Sequence, residues 1–184
     1  MPSSAFDESS TKAKCGVNVN STRTIMDRAH LKSPLGIIEI KGSESGIRSV
    51  SFTDLKEPED TVVSDVLSDC LLQLLEYFQG QRRGFSVRLD PEGSEFQHRV
   101  WQQLQQIPFG DTLTYLEQAE KLGDVKAIRA VAAANARNPI AVIIPCHRVV
   151  GSDGSLTGYA GGLWRKRWLL DHENPPSQTR LFQF

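Results

Sequence analysis

The chain has little of what would place a protein in a membrane or outside the cell. Its 184 residues hold three cysteines, Cys15, Cys70 and Cys146. An odd, widely spaced set is neither a disulfide framework nor a paired zinc-site pattern, which favours a reducing compartment and free thiols. No apolar run reaches membrane-spanning length and no charged-then-apolar leader is visible, so a soluble intracellular protein is expected. A dominant charge is missing too, since 21 Lys and Arg face 22 Asp and Glu. That leaves no general attraction to nucleic acid, and any such role would need a local patch.

A 39% hydrophobic content is enough for a real core, in one domain or two small ones. Residues 1–23, rich in Ser, Thr, Asn and charge without periodicity, read as a disordered tail that includes Cys15. Residues 24–91 read as a small α/β unit. PLGIIEIKG and GIRSVSFTD form a hairpin across GSESG, and GFSVRLD alternates Phe85, Val87 and Leu89 like a further strand. Between them Val62, Val63, Val66, Leu67, Cys70, Leu71, Leu74, Leu75 and Phe78 recur at helical spacing up to Gly80, which makes Cys70 a core filler. Residues 174–184 read as a loose tail whose Leu181, Phe182 and Phe184 could dock.

The texture changes at Pro91–Gly93, and residues 92–173 form a second unit. Ser94 with Gln97 is a capping box that opens a helix along Phe96, Val100, Leu104 and Ile107. Thr114 with Glu117 is another, for a short helix ending at Leu122-Gly123. Asp124 then caps a helix running through Ala136. Two short helices around a glycine turn are a helix-turn-helix pattern, which serves packing as readily as DNA binding. The second is slim, with Ala127, Ala130, Ala132, Ala133 and Ala134, and Arg129 is its one long cation. That suits either close packing on a neighbour or entry into a narrow groove.

IIPCHRVVG, residues 143 to 151, sets Cys146 beside His147 after an apolar run, Ala141–Ile144, that reads as a buried strand. Cys146 is open to three readings: nucleophile, metal ligand or small buried filler. A thiol is a useful nucleophile only as thiolate, and His147 is the base by type. In an extended segment the two side chains diverge, so a turn or a bridging water would have to connect them. Glu173, closing a helix, could orient the imidazole. His30, His98 and His172 make no metal-ligand spacing with Cys146. The glycine-rich GYAGG, residues 158 to 162, is either a plain turn or a loop closing over a flat ligand, with Tyr159 as a wall.

Taken together, residues 94 to 173 resemble the C-terminal domain of the O6-alkylguanine-DNA alkyltransferases, also called methylated-DNA–protein-cysteine methyltransferases. The match rests on IPCHRVVG, the tyrosine-bearing first helix, KAIRAVAAANARNPI, LTGYAGG and WLLDHE, in the family's order and spacing. The fold class implied is α/β plus mainly α: a small ribonuclease H-like α/β domain followed by a winged-helix-like, helix-turn-helix domain. The implied function is repair of double-stranded DNA that contains O6-alkylguanine. The helix pair enters the minor groove with little sequence preference, and the damaged base is flipped into a pocket. A cysteine then takes the alkyl group irreversibly, so each protein acts once. O4-alkylthymine is a candidate secondary substrate.

Residue by residue, the resemblance makes Cys146 the acceptor, His147 the base acting through a water, and Glu173 its orienting carboxylate. It makes Asn138 the brace of the active-site turn. Tyr115, Tyr159, the Ala160 amide and the carbonyls of Cys146 and Val149 become the base pocket. Arg129 becomes the finger that fills the vacated stack, with Ala127, Ala130, Asn135 and Tyr115 also at the DNA. No metal or other cofactor and no membrane are implied, and the protein would be a monomer, nuclear in a eukaryote or cytoplasmic in a bacterium.

Some departures bear on these expectations. Some animal members bind a structural zinc in the N-terminal domain, but Ser43 and Arg48 stand where ligands would be expected. Ala160 replaces a serine found in several relatives, which keeps a backbone contact and loses a side-chain one. AAANARNP is closer to the bacterial-type pattern. Three rivals remain. A non-enzymatic alkyltransferase-like DNA binder would lack the cysteine, a Cys-His hydrolase would turn over, and a transcription regulator would select a DNA sequence.

Overall fold

The computed structural model describes residues 27–58 and 64–175. The expected disordered tail, Cys15, Val62, Val63 and the docking residues Leu181, Phe182 and Phe184 lie outside the described residues.

The N-terminal unit is an antiparallel meander of β1 (Asp27–Ser33), β2 (Gly36–Ser43) and β3 (Gly46–Thr53), crossed by helix α1 (Asp65–Phe78). The hairpin expected across GSESG is β2–β3. Strand β1 was not expected, because DRAHLKS has only Ala29 and Leu31 as apolar alternation. Pairing with β2, from Asp27 opposite Gly42 to Ser33 opposite Gly36, makes it a strand. Ala29, Ile38, Ile40, Ile47 and Val50 meet Leu67, Cys70, Leu74 and Tyr77 of α1 in a closed core. Burial pushes the Cys70 thiol up to about 12, which suits its expected role as an inert filler.

The strand expected over Phe85, Val87 and Leu89 does not form. The segment is extended, but only Leu89 bridges a strand, at Ile47. The Ser86 N–H is taken by a side chain, donating to Gln73 Oε1 at 2.9 Å.

The outer edge of β3 instead receives the second unit. Val50 N–H donates to the Pro139 carbonyl and the Ala141 N–H donates to the Val50 carbonyl, both at 2.9 Å. This contact corrects a second expectation, because Ala141–Ile144 is not a strand. Only Ile140 bridges β3, and the chain then folds through a tight turn in which Val142 takes φ 70°. A left-handed β-branched residue costs about 1–2 kcal/mol. The two edge hydrogen bonds and full burial of the Val142 side chain hold it there.

The rest of the second unit is helical. Helix α2 (Glu95–Leu104) starts at the Ser94–Gln97 capping box and buries Val100, Trp101 and Leu104. Two short strands, β4 (Leu113–Thr114) and β5 (Val149–Val150), pair in parallel. The Thr114–Glu117 box starts α3 (Tyr115–Lys121), as expected. Asp124 accepts from the Lys126 N–H at 2.8 Å and opens a 3₁₀ turn, Val125–Ala127, that runs into α4 (Ile128–Ala136). The Trp101 indole donates to the Ala134 carbonyl at 2.9 Å, tying α2 to α4. Helix α5 (Leu163–Glu173) closes the unit. No described helix is long and apolar enough to cross a membrane.

Candidate active site

Pro145 breaks the approach from the turn, and Cys146–Arg148 form a single 3₁₀ turn leading into β5. Because this is a turn and not a strand, adjacent side chains need not point to opposite sides, and all three are buried. Asn138 spans this turn with three hydrogen bonds. Its Nδ2 donates to the Ile144 carbonyl at 2.7 Å and to Cys146 Sγ at 3.2 Å, while its Oδ1 accepts from the Ile140 N–H at 3.0 Å.

Cys146 is 9% exposed. Burial pushes its thiol up, against the Asn138 hydrogen bond and the positive charge of Lys166, so the resting group is the thiol. Burial also pushes His147 below its ordinary value, only partly offset by Glu173, so the imidazole is neutral. His147 Nε2 lies 2.8 Å from Glu173 Oε1. An ionised carboxylate can only accept, so Nε2 carries the proton and Nδ1 is the basic atom. Nδ1 is buried and makes no hydrogen bond within the protein.

Glu173 is buried, which alone would raise it, but hydrogen bonds from His147 and Arg148 hold it well below the usual carboxylate range. Arg148 grips it with both arms of its fork, Nε to Oε2 at 2.8 Å and Nη2 to Oε1 at 2.9 Å. The Gly110 N–H donates to Oε2 at 3.2 Å, and Tyr77 Oη donates to Oε1 at 2.8 Å. Of the expected relay, His147 and Glu173 are in direct contact, around a carboxylate already neutralised by Arg148, while Cys146 Sγ is held by Asn138 and not by His147.

The loop of residues 158 to 162 covers the same corner. The Tyr159 ring packs 6.5 Å from that of Phe52 in β3, and its buried hydroxyl has no partner. A Cβ at Gly161 would sit 2.7 Å from the Phe52 ring, so glycine is required there. Arg165 pins the loop across the two units, with Nη1 to the Gly161 carbonyl at 2.7 Å and Nε to the Leu35 carbonyl at 2.8 Å. Ala160 is exposed beside Tyr159. Half-buried Tyr115, at the start of α3, donates to the Thr157 carbonyl at 3.2 Å.

Lys166, which sequence reasoning did not single out, is wholly buried and donates to the carbonyls of Val149 at 2.6 Å and Thr157 at 2.8 Å. The Val149 carbonyl, an expected acceptor for the base, thus already holds one donor and keeps a second lone pair. Tyr77 and Arg148 were also missed. A signal for Lys166 existed: Lys166, Leu169 and Glu173 share one helical face, the face of α5 that is buried. Charged residues on a core stripe need partners, and are candidates for function.

The expected DNA-contacting positions separate. Arg129 and Ala130 are exposed, together with Ala133, Ala136 and Arg137, and Ala127 is half-buried. Asn135 is a correction. It is buried, and its Nδ2 donates to Gln118 Oε1 at 2.7 Å, so its amide welds α4 to α3 and is not offered to a ligand. On a short helix packed against both α2 and α3, the position after Ala134 faces inward. Among the described residues no group of three or more His, Cys, Asp or Glu gathers as a metal site.

Comparisons with known proteins agree with this layout. Residues 95–175 match the family described as 6-O-methylguanine DNA methyltransferase, DNA binding domain, and residues 26–91 match its ribonuclease-like domain. The methylated-DNA–protein-cysteine methyltransferase of Methanosarcina acetivorans is 47% identical over 150 residues, covering 79% of this chain and 96% of that protein. The protein of that name from Mycolicibacterium paratuberculosis is 42% identical over 156 residues, covering 82% and 94%. A crystal structure of the Mycobacterium tuberculosis O6-methylguanine methyltransferase superposes with TM-score 0.73 at 39% identity, covering 86% of this chain and all of that one. A structure of the Mycobacterium tuberculosis OGT in complex with DNA gives TM-score 0.72 at 40% identity, covering 84% and 98%. With both units matched in order and the relatives spanned almost end to end, the chain belongs to the methylated-DNA–protein-cysteine methyltransferase family.

Proposed function

We propose that this protein repairs double-stranded DNA by moving the alkyl group of O6-alkylguanine onto its own Cys146, once per molecule. The observation that carries this reading is the buried turn itself. It sets Cys146 Sγ against Asn138 Nδ2 at 3.2 Å, next to a neutral His147 locked onto Glu173. Such a group needs no metal or organic cofactor.

The chemistry balances within that group. Neutral His147 takes the Cys146 proton at Nδ1 through a water, Glu173 steadies the resulting imidazolium, and the thiolate attacks the alkyl carbon. The S–C bond forms as the C–O6 bond breaks, the electron pair returns to the guanine ring, and the ring recovers a proton. A thiolate is a poor leaving group from an unactivated alkyl carbon, so the thioether persists and the cysteine is spent. A thiol that rests protonated in a 9% exposed site reacts slowly with stray electrophiles.

The exposed face of α4, small except for Arg129 and followed by Arg137 just past the helix end, suits a narrow minor groove, with Arg129 taking the place of the extruded base. Tyr115 and the loop bearing Tyr159 and Ala160 then form the walls of the pocket. Near-zero net charge fits weak, sequence-tolerant scanning by a monomer. O4-alkylthymine, with an alkyl oxygen at a comparable ring position, is the natural second substrate to try.

Mass spectrometry of the protein after incubation with O6-methylguanine duplex tests this. One methyl for hydrogen adds about 14 Da, and the adduct is expected on Cys146 alone at one per protein. An unmodified Cys146, or several products released per protein, would overturn the reading. The second outcome would favour a Cys-His hydrolase.

A further inference from the structure

We infer that Tyr77, supplied by α1 of the N-terminal unit, is a positioning residue of the alkyl-transfer relay: its phenol shares Glu173 Oε1 with His147 and thereby sets how readily His147 accepts a proton. The inference rests on the alkyl-transfer reading above.

Glu173 Oε1 takes three donors, Tyr77 Oη at 2.8 Å, His147 Nε2 at 2.8 Å and Arg148 Nη2 at 2.9 Å. A carboxylate oxygen offers two lone-pair sites, so the three compete. Oε2 is held separately by Arg148 Nε at 2.8 Å and the Gly110 N–H at 3.2 Å. The fork and the amide already fix where the carboxylate sits. What remains for the phenol is to draw electron density from the oxygen that faces the imidazole.

Tyr77 is wholly buried and placed by its neighbours. Its ring meets Phe78, Phe85, Phe109 and His172 at centroid distances of 5.3, 5.4, 6.2 and 5.1 Å, and His172 Nε2 bonds its carbonyl at 2.8 Å. Burial and then Glu173 push its phenol far above the ordinary value, so it stays a neutral donor at any working pH. The charged or titratable groups around His147 are Glu173 and Lys166 from α5, and Arg148 and Cys146 from its own turn. Around Tyr77 they are Glu173, Arg148, Tyr159 and His172. Tyr77 is the member that can lose its donor with no change of charge.

The sign follows from the competition. Without the phenol, Oε1 binds the imidazolium more strongly, and His147 keeps its proton to higher pH. A protonated His147 cannot accept from Cys146, so the acid limb of the rate profile moves up.

Single-turnover rates with free O6-benzylguanine across about pH 5 to 9 test this in the full chain. For Tyr77→Phe the acid limb is expected to shift upward by roughly half to one pH unit, a several-fold loss at low pH that closes at the alkaline end. Site-specific 3-fluorotyrosine at position 77 keeps the ring and strengthens the donor, and should move the limb the other way. It keeps the question decidable if the phenylalanine variant folds poorly. A merely structural role would lower the rate equally at every pH, and a limb that stays in place in the fluorotyrosine protein overturns the inference. Failure of the wild-type protein to alkylate Cys146 would instead overturn the function it rests on.

Discussion

Arg148 and Glu173 form a buried, two-armed ion pair, 2.8 Å through Nε and 2.9 Å through Nη2, directly beneath His147. The pair explains how an ionised carboxylate sits in a core without forcing a charge onto the imidazole. Arg148 supplies the neutralising charge and is itself held by the Ile107 carbonyl at 2.6 Å. Glu173 can then orient His147 while His147 remains a neutral base. A carboxylate without Arg148 would either take up a proton or draw one onto the imidazole, and both would disable the relay.

Acid stability, the subject of a first prediction, turns on Glu173. The folded Glu173 carboxyl lies well below its ordinary value of 4.5, so its contribution to stability is present above that value and is lost as pH falls further toward the folded value. Wild-type thermal melts should hold between pH 7 and about pH 5 as far as this group is concerned, then fall at lower pH. In Arg148→Met the carboxylate loses its charge partner in the core, and breaking a buried pair costs about 3–5 kcal/mol. The variant should melt markedly lower at pH 7, with the difference narrowing as the pH is lowered. A melting difference that is flat in pH would count against the pair.

Much of the fold could be read from the sequence where local chemistry decides it. The Ser94–Gln97 and Thr114–Glu117 boxes mark their helices correctly, because capping is short-range, and the repeat along α1 finds Leu67, Cys70 and Leu74 of its buried face but misses Gln73 and Tyr77 and includes exposed Leu75. What could not be read depends on distant partners. Val142 adopts φ 70° only because Pro139 and Ala141 are tied to Val50 in β3, about 90 positions earlier in the chain, so an apolar run that looks like a strand is a turn. The site divides in the same way. Cys146, His147 and Asn138 lie close in sequence and stand in a recognisable motif. Tyr77 and Lys166 enter from other elements; Lys166 is betrayed only by its place on the apolar face of α5, and nothing adjacent to Tyr77 announces a role.

Lys166 gives the second prediction. Its buried ammonium lowers the Cys146 thiol value and anchors the carbonyls of Val149 and Thr157. Lys166→Met keeps the volume and removes both effects. The apparent thiol pKa, read from the pH dependence of iodoacetamide alkylation at Cys146, should rise, and alkyl transfer at neutral pH should slow. An unchanged thiol titration would remove Lys166 from the electrostatics of the site.

Asn135 gives the third, and separates a structural amide from a DNA contact. Asn135→Ala leaves Gln118 Oε1 buried without its donor, a loss of about 1–3 kcal/mol. The melting temperature should drop, while affinity for undamaged duplex measured below the melt stays at the wild-type level. A loss of affinity with no loss of stability would return Asn135 to the interface.

Arg129 gives the fourth. Arg129 is exposed at the start of α4, as are Ala130 and Ala133 on the same helix. Extruding a paired base from a duplex costs a few kcal/mol of stacking and pairing, and a side chain that fills the gap recovers part of that. Free O6-benzylguanine carries no such cost. Arg129→Ala should therefore react with the free base at the wild-type rate, yet repair O6-methylguanine in duplex on the order of 10-fold more slowly or worse. Placing the lesion opposite an abasic site, where pairing is already lost, should recover part of the deficit. If the variant slows equally on free base and duplex, Arg129 acts on the chemistry or the fold, and the extrusion role fails. If neither rate changes, another residue fills the stack, and exposed Arg137, at the far end of the same helix, is the next to replace.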